Sequence, residues 1–519
     1  MFERHNRHAE SKFHLMEEAG KVSPEGGSYR SILKSTSLIG GASILNILIG
    51  MVRVKFVAVL LGPTGVGLVG MYGQVTGLVG SITAMGLGSS GVRQVAEAVG
   101  TNDQDRIART VKTLRRTAWL TGGLGLLVSI TLCVPLSRMT FGSNDYALPV
   151  AVLGITLLTG AIAGGQGCII NGSRRIADLA KISVIGAVNG TIISIPCFYL
   201  WGQAGIVPSL VLSAFAALAT SWWFARRVPV KAITLSWRDS YGEARQLLSL
   251  GVSFVGAGLV TTLSNYLIRV VMLRQFGLAD VGIYQSAFNL SGMLVGFVLG
   301  AMGSDYYPRL TAAAGDNSSL HRMVNEQSQI SILLALPGLA AMMIFSPLII
   351  KLFYAASFAT AVPILRWCIL GILCRVFSWP MGYVMPAKGK GKLFFVTEVS
   401  GNTLHLVAVF FFIRIWGLKG AGIAFMVSYI VYTVLMLFVM RRLVGGAWDR
   451  HTLKLSLIAA FTMLLLIINC TYNEKTSVLY VVDVIVLFVV FCFCFNQLSR
   501  QSSINLQMIL FKLRGKRVL

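Results

Sequence analysis

Apolar runs of about 20 residues recur from one end of this 519-residue chain to the other. A helix of that length crosses a hydrocarbon core of about 30 Å. Fourteen such runs can be counted, joined by connections too short for a soluble domain, at 35–61, 65–89, 117–137, 146–170, 180–201, 205–225, 248–275, 281–304, 329–350, 361–384, 393–415, 418–440, 453–471 and 478–497. The chain is therefore predicted to be an all-α polytopic membrane protein with about 14 transmembrane helices.

The composition favours a membrane protein over several soluble domains. Hydrophobic residues make up 55% of the chain and charged residues 13%, whereas soluble domains carry about 25% charged residues. The formal net charge of +25 comes from 45 Lys and Arg against 20 Asp and Glu. Most of these cations lie in short connections between apolar runs, where they orient a membrane protein, so we expect no nucleic-acid partner.

The connections alternate between strongly basic and weakly charged. Those that follow the even-numbered runs carry most of the cations, among them Arg93, Arg226 and Arg441. Cytoplasmic loops are enriched in Lys and Arg, so both termini are predicted to be cytoplasmic. The first 30 residues contain no apolar core of a signal peptide, which predicts a cytoplasmic arm. The eight cysteines form no CxxC pair, and no metal site is expected.

Two halves of the chain repeat each other with an offset of about 215 positions, as Gly62 and Gly277 show. The dipeptide Trp201-Gly202 likewise corresponds to Trp416-Gly417. Each half has six runs, so the halves share one orientation, and transporters of this kind bind substrate between their halves. The predicted organisation is a cytoplasmic N-terminal arm (1–30), an N-lobe (31–226), a C-lobe (246–443), a further helical hairpin (452–497) and a basic cytoplasmic tail (498–519).

Cations dominate the few ionisable residues inside the predicted spans. Charged groups are costly at the centre of a bilayer and mark functional sites there. Arginine and lysine suit phosphate oxygens, so a gap between the halves lined by cations would bind an anionic substrate. The candidate substrate-binding residues are Arg53, Lys55, Arg269, Arg366 and Arg375. The open alternatives are that Lys55 and Arg366 reach to the headgroups and that Arg375 pairs with Glu398 or Asp305.

Three further residues are candidates for coupling transport to an ion. Asp305, Glu398 and His405 could carry a proton or sodium ion through the membrane. The alternatives are carboxylates that face water at a loop edge and a histidine that is packed and hydrogen-bonded. The sequence lacks a GxxxxGK[ST] phosphate loop, so the chain itself is not expected to use ATP. No nucleophile–base pair or metal cluster lies on a loop large enough to form a catalytic site, so we do not expect an enzyme.

The opening signature of the first half resembles a known family. The segment from Arg53 to Leu68 reads Arg-x-Lys-Phe-x-Ala-x-x-Leu-Gly-Pro-x-Gly-x-Gly-Leu, and it is similar to the first-helix signature of Wzx-type polysaccharide flippases. These proteins belong to the MATE-like MOP exporter superfamily. The segments 84–97, 201–206 and 416–423 resemble later parts of the same family, and the likeness extends over about residues 31–443.

The resemblance implies two six-helix lobes around a central cavity that opens alternately to each side of the membrane. It implies flipping of an undecaprenyl-pyrophosphate-linked oligosaccharide, as in O-antigen and lipopolysaccharide biosynthesis, to the periplasmic leaflet of the bacterial inner membrane. Membrane lipids, a polysaccharide polymerase and chain-length machinery are the implied partners, with no cofactor beyond a coupling H⁺ or Na⁺. A cation-coupled multidrug exporter of the same fold, a lipid II flippase and a non-transporting assembly scaffold remain alternatives.

Overall fold

The computed structural model describes residues 26–472 and 477–501, without the side chains of 26–39, 237–255 and 472–480 and of several residues near 300. This part of the chain is almost entirely helical and contains no strand. Its helices are α1 (Gly26–Thr83), α2 (Leu87–Gly100), α3 (Gln104–Thr131), α4 (Cys133–Phe141), α5 (Ala147–Gly172), α6 (Ile176–Trp201), α7 (Ile206–Ala225), α8 (Trp237–Phe276), α9 (Leu278–Ala312), α10 (Asn317–Ile344), α11 (Ser346–Phe353), α12 (Ala361–Gly382), α13 (Val384–Ala387), α14 (Gly391–Trp416), α15 (Lys419–Val444), α16 (Arg450–Tyr472) and α17 (Ser477–Gln501).

The prediction of an all-α membrane protein is confirmed, whereas the count of fourteen spans stays a prediction. Ten described segments are long and apolar enough to cross a membrane, or eleven if the bent pair α3 and α4 is one span. Two of these segments are 44 and 50 residues long, and each is interrupted by a glycine in a non-helical conformation. Each is therefore long enough to cross twice. Helix α9, which contains the glycine-rich eighth predicted run, is not among the ten.

The same backbone breaks occur at matching positions in the two halves. Gly62 interrupts α1 with φ 65° and ψ −168°, and Gly277 separates α8 from α9 with φ 89° and ψ 177°. Gly202 and Gly417 end α6 and α14 with φ 54° and 58°. Both pairs are 215 positions apart, as the sequence predicts, and glycine adopts these positive φ values without a steric cost. The internal repeat is therefore a repeat of backbone conformation.

The helices assemble into two lobes with a peripheral pair. In the first lobe (α1–α7), α5 packs against α2, α3 and α7, and α6 packs against α1 and α7. In the second lobe (α8–α15), α12 packs against α9, α10 and α15, and α14 packs against α8 and α15. Helices α16 and α17 both pack on α10, outside the second lobe.

The lobes meet closely where α1 crosses α9. A Cβ atom on Gly67 would lie 2.1 Å from the carbonyl oxygen of Leu278, and one on Gly282 would lie 2.0 Å from that of Pro63. The two contacts are reciprocal, because 67 and 282, like 63 and 278, differ by 215. Only glycine allows this approach of the two backbones. We call this end of the helices, near Gly62 and Gly277, the glycine end, and the opposite end the basic end.

Candidate functional site: a cavity in the second lobe

Arg269 of α8 is 4% exposed and is bonded only to neutral groups. Its Nε donates to Oε1 of Gln285 at 2.7 Å, and its Nη1 donates to the carbonyl oxygen of Asn265 at 3.1 Å. Its guanidinium also lies 6.0 and 5.7 Å from the rings of Tyr284 and Phe288. Among the described side chains Arg269 forms no ion pair. A buried charge without a counter-ion is costly, so this arginine is suited to receive an anion.

A cavity of about 530 Å³ lies in the second lobe beside Arg269. Its wall includes Asn265 and Phe288, both of which also contact Arg269. The other lining residues come from α8, α12, α14 and α15 and from the short α13 region. These include Thr261, Arg375, Ser378, Trp379, Tyr383, Phe394, Glu398, Asn402, His405, Phe425, Tyr429 and Tyr432.

The cavity brings together three residues that the sequence singles out: Arg375, Glu398 and His405. Oε1 of Glu398 accepts a hydrogen bond from the hydroxyl of Tyr432 at 2.9 Å. Arg375 is exposed to the cavity and forms no ion pair with Glu398 among the described contacts. His405 packs edge-on against Phe425 at 5.4 Å, and its Nε2 is buried without a partner in the described structure. The site therefore has both signs of charge within one wall.

Aromatic side chains form another part of that wall. Trp379 and Tyr383 have ring centroids 4.9 Å apart, and Tyr306 stacks on Trp379 at 6.0 Å. Tyr429 lies 6.0 Å from Tyr432 on the α15 side. Faces of aromatic rings offer broad apolar contact, while tyrosine hydroxyls keep a polar handle. The cavity can therefore contact a ligand that has both apolar faces and hydroxyl groups.

Two predicted site residues lie away from this cavity. Asp305 is exposed and pairs with Arg309 one turn later in α9, at 3.2 Å. Arg366 is 4% exposed, and it donates from Nε to Oγ of Ser346 at 3.0 Å and from Nη1 to the carbonyl of Cys470 at 2.8 Å. These bonds tie α12 to α11 and α16. Substrate binding by Arg366 and ion coupling by Asp305 therefore rest on the sequence prediction alone.

Arg53 occupies a different environment in the first lobe. It is partly buried on α1 and faces α6, where a Cβ atom on Gly190 would lie only 3.2 Å from its Nη1. The described structure gives its guanidinium no hydrogen-bond or ion-pair partner. Arg53 and Arg269 are thus alike in lacking an anionic partner, although their neighbours differ. Whether both bind one substrate stays a prediction.

Lys55 is engaged by the opposite lobe. Its Nζ donates to the carbonyl oxygens of Lys351 at 2.8 Å and Tyr354 at 2.5 Å. These carbonyls lie at the C-terminal end of α11, where the helix dipole favours a cation. The two strong acceptors hold Lys55 at the glycine end, and a role in substrate binding stays a prediction from the sequence.

Arg274 makes the matching contact in the other direction. From the end of α8, its Nη2 donates to the carbonyls of Arg138 and Met139 in the last turn of α4. Nearby, the hydroxyls of Thr140 and Tyr266 share a hydrogen bond of 2.7 Å across the same boundary. The glycine end is therefore closed by hydrogen bonds from each lobe to the other.

Sequence reasoning missed the neutral partners that define the site. Gln285, Asn265 and Tyr432 are polar residues inside apolar runs, and this was a usable signal. Polar side chains facing a bundle interior are rare enough to mark contacts between helices. Attention to charged residues alone overlooked them.

Comparison with known proteins places the chain in a polysaccharide biosynthesis family. Residues 32–314 match the family described as polysaccharide biosynthesis protein. The lipid III flippase of Escherichia coli (strain K12) is 23% identical over 409 residues, which cover 78% of this chain and 96% of that protein. The resemblance noted in the sequence is therefore confirmed at the level of the family.

Solved structures show the same fold. An inward-facing multidrug resistance MATE transporter of the MOP superfamily aligns with a TM-score of 0.66 and 17% identity, covering 79% of this chain and 98% of that one. The lipid II flippase MurJ in an inward closed conformation aligns with a TM-score of 0.67 and 12% identity, covering 90% and 99%. The chain is a multi-pass membrane protein with the fold of the MOP exporters, and it belongs to the polysaccharide biosynthesis protein family.

Proposed function

We propose that this protein flips an undecaprenyl-pyrophosphate-linked oligosaccharide from the cytoplasmic to the periplasmic leaflet of the bacterial inner membrane. The observation that carries the proposal is the buried charge of Arg269, which has only neutral partners and adjoins a cavity. A pyrophosphate would supply the missing negative charge, since guanidinium groups bind phosphate oxygens in bidentate fashion. The lipid III flippase to which the chain is similar supports this substrate class.

The cavity wall suits the sugar end of the same substrate. Trp379 and Tyr383 present ring faces, and Asn402, Glu398 and Arg375 present hydrogen-bonding groups. A sugar ring has apolar C–H faces and polar hydroxyls at its edge, so it can stack and hydrogen-bond in the same pose. With the pyrophosphate at Arg269, the sugars would extend along α12 and α14.

The bonds at the glycine end support alternating access as the mechanism. Lys55 and Arg274 close that end by bonding to carbonyls of the opposite lobe. The alternation of basic connections assigns the basic end to the cytoplasm. In this state the substrate would enter from the cytoplasmic side, and rupture of the two cation contacts would accompany opening to the periplasm. On this proposal Lys55 acts in closure, and Arg53 is the first-lobe residue that shares the substrate.

The membrane potential would favour outward movement of the anionic substrate, with or without a coupling ion. Moving one negative charge outward across an inside-negative potential gains roughly 2.3 kcal/mol per 100 mV. Glu398 and His405 line the same cavity and could load a proton or sodium ion on the return step. The carboxylate of Glu398 is also the observation that favours the second candidate, a cation-coupled multidrug exporter.

The proposal is tested by flipping in proteoliposomes that contain a labelled lipid-linked oligosaccharide. Transfer between leaflets is followed as the fraction of label accessible to a reagent added outside. We expect Arg269→Gln and Arg53→Gln to lower the rate at least tenfold, while the exposed Arg309→Gln retains it. A wild-type protein that moves a cationic drug but no lipid-linked sugar would establish the second candidate instead.

A further inference from the structure

A groove of about 880 Å³ runs along α5 in the first lobe, on a part of the molecule that the proposed flippase mechanism does not use. Helices α3 and α7 form its two sides, and both pack on α5. Gly165 leaves the bottom of the groove free of a side chain, and a Cβ atom at this position would lie 2.9 Å from that of Ala118. Ile162, Phe215 and Leu218 add apolar wall, so the groove fits a hydrocarbon chain.

The basic end of this groove is cationic and aromatic. Arg115 from α3 and Arg226 from the end of α7 both line it, together with Trp119 and Trp222. The guanidinium of Arg226 lies 5.0 Å from the ring of Trp222, and both tryptophans are more than half exposed. Tryptophan and arginine at a helix end are typical of the level of the lipid headgroups. No carboxylate lines the groove, so its mouth attracts an anion.

The groove is closed at that end by the segment that joins the two lobes. This segment, residues 226–236, is not helical and contributes Arg226, Val228 and Val230 to the groove. The later part of this segment is hydrogen-bonded to α3: Lys112 donates to the carbonyl of Ile233 at 2.6 Å.

The next turn of α3 supplies a second set of hydrogen bonds to this segment. Arg116 donates to the carbonyls of Leu235 and Ser236 at 2.9 and 3.0 Å. Lys231 pairs with Asp105 at 2.8 Å near the start of α3. The connecting segment therefore contacts the groove through Val228 and Val230 and is bonded to α3 through its later residues.

We propose that this groove binds one anionic diacyl phospholipid of the cytoplasmic leaflet. Its phosphate lies between Arg115 and Arg226, and one acyl chain lies along α5 between α3 and α7. Basic pockets between transmembrane helices on the cytoplasmic side bind anionic headgroups in this manner. The bound lipid holds the connecting segment against α3 and so restricts the movement of the segment that joins the two lobes. The proposal is independent of the transported substrate.

The test titrates the purified full-length protein in neutral detergent with phosphatidylglycerol and follows thermal stability and apparent affinity. Phosphatidylcholine and inorganic phosphate serve as the other probes. We expect a rise in Tm with phosphatidylglycerol alone, because both the negative headgroup and the acyl chain are required. Equal shifts with inorganic phosphate would overturn the lipid assignment, and equal shifts with phosphatidylcholine would overturn the role of the arginines.

Two variants separate the charge from the groove. Arg115→Gln with Arg226→Gln should weaken phosphatidylglycerol binding roughly 25-fold, about fivefold for each arginine. The matched control, Arg441→Gln with Arg442→Gln, removes two cations at the basic end of α15, where Arg442 lies 5.1 Å from the ring of Phe438. Equal weakening in the test and control pairs would show only a general effect of charge and overturn the site.

Ala219→Trp keeps both arginines and fills the groove, so it should also weaken phosphatidylglycerol binding. It serves as the decisive variant if the double arginine variant does not fold. Limited proteolysis within residues 226–236 gives a separate readout. Phosphatidylglycerol should protect this segment in the wild type and not in Ala219→Trp, and protection that is equal in both proteins would contradict the groove.

Discussion

The two lobes share a backbone plan but differ in what their interiors hold. At the glycine end they are similar: Lys55 of the first lobe bonds to the end of α11, and Arg274 of the second lobe bonds to the end of α4. The acceptor positions 138 and 139, shifted by 215, become 353 and 354, and the carbonyl of Tyr354 is one of the two acceptors of Lys55. The donors are offset by about one helical turn, because position 55 shifted by 215 becomes 270 and not 274. The repeat therefore relates the acceptor ends of α4 and α11 and only approximately relates the two cations.

The interiors of the two lobes, in contrast, differ in their charged residues. The second lobe has a cavity that holds Arg375, Glu398 and His405 and adjoins Arg269, whereas Arg53 of the first lobe lies against Gly190 of α6. On the proposed alternating-access mechanism, closure requires matched surfaces on the two lobes. Binding of an asymmetric substrate requires unlike surfaces, and the lobes diverge there.

The largest expected effect breaks the symmetric crossing itself. Gly67→Val places a side chain where the Cβ atom would lie 2.1 Å from a backbone carbonyl, so α1 and α9 must separate. We expect transport in proteoliposomes to fall below about a tenth and the protein to lose roughly 1–3 kcal/mol of stability. Gly282→Val should match it. Gly73→Ala, where nothing lies within 4 Å, is the control and should be tolerated; unequal losses at the two crossing glycines would refute the symmetry.

The next effect concerns the two cation contacts at the same end. Lys55→Met and Arg274→Met each remove hydrogen bonds from a charged group to helix-terminal carbonyls, worth on the order of 1 kcal/mol at this exposure. We expect each variant to raise the reactivity of glycine-end positions toward a periplasmic labelling reagent severalfold. In the double variant the two increases should multiply, because each contact contributes separately to the free energy of closure. No change in labelling would show that the contacts do not hold the closed state.

A smaller effect is expected from a substitution inside the cavity of the second lobe. Glu398→Gln keeps the shape of the side chain and removes the charge that accepts from Tyr432. If this carboxylate loads the coupling ion, transport should persist at a severalfold lower rate and lose its dependence on an imposed proton or sodium gradient. Glu97→Gln, at an exposed pair with Arg93 in the first lobe, is the control. An unchanged gradient dependence in Glu398→Gln would remove that residue from the coupling step.

The smallest effect lies at the connecting segment. The hydrogen bond and charge of Lys231 hold the pKa of Asp105 below its usual range. A carboxylate whose pKa is depressed on folding stabilises the protein above the unfolded pKa of about 4 and loses that contribution as pH falls further. Thermal stability should therefore depend slightly on this pair at pH 7, and the difference between wild type and Lys231→Met should vanish once the pH is below the lowered pKa of Asp105. A difference that persists there would indicate packing by the Lys231 stem instead.

The sequence predicted the scaffold better than the site, for physical reasons that individual residues illustrate. Gly62 and Gly277 are local signals, because a glycine between two apolar runs marks a break in the helix. Arg269 was found by its residue type alone. The acceptors of Lys55 and Arg366 were not predictable, because backbone carbonyls carry no sequence signature and lie 296 and 104 positions away.

The other differences between prediction and structure depend on how distant helices pack against each other. Asp305 was predicted at the edge of a span and lies on an exposed face with Arg309, whereas Glu398 faces the cavity. Both are single carboxylates in similar apolar surroundings along the chain. The packing of α9 and α14 against distant helices, which no local sequence feature records, places them differently.

The central claim is that the neutral surroundings of Arg269 leave its charge available to a lipid-linked pyrophosphate. The most direct test measures equilibrium binding of undecaprenyl pyrophosphate and of uncharged undecaprenol to the wild type and to Arg269→Gln in detergent. The wild type should prefer the pyrophosphate, and the variant should lose about ten- to a hundredfold of that preference, since hydrogen bonds to charged groups contribute about 1.5–3 kcal/mol. An undiminished preference in Arg269→Gln would contradict the account.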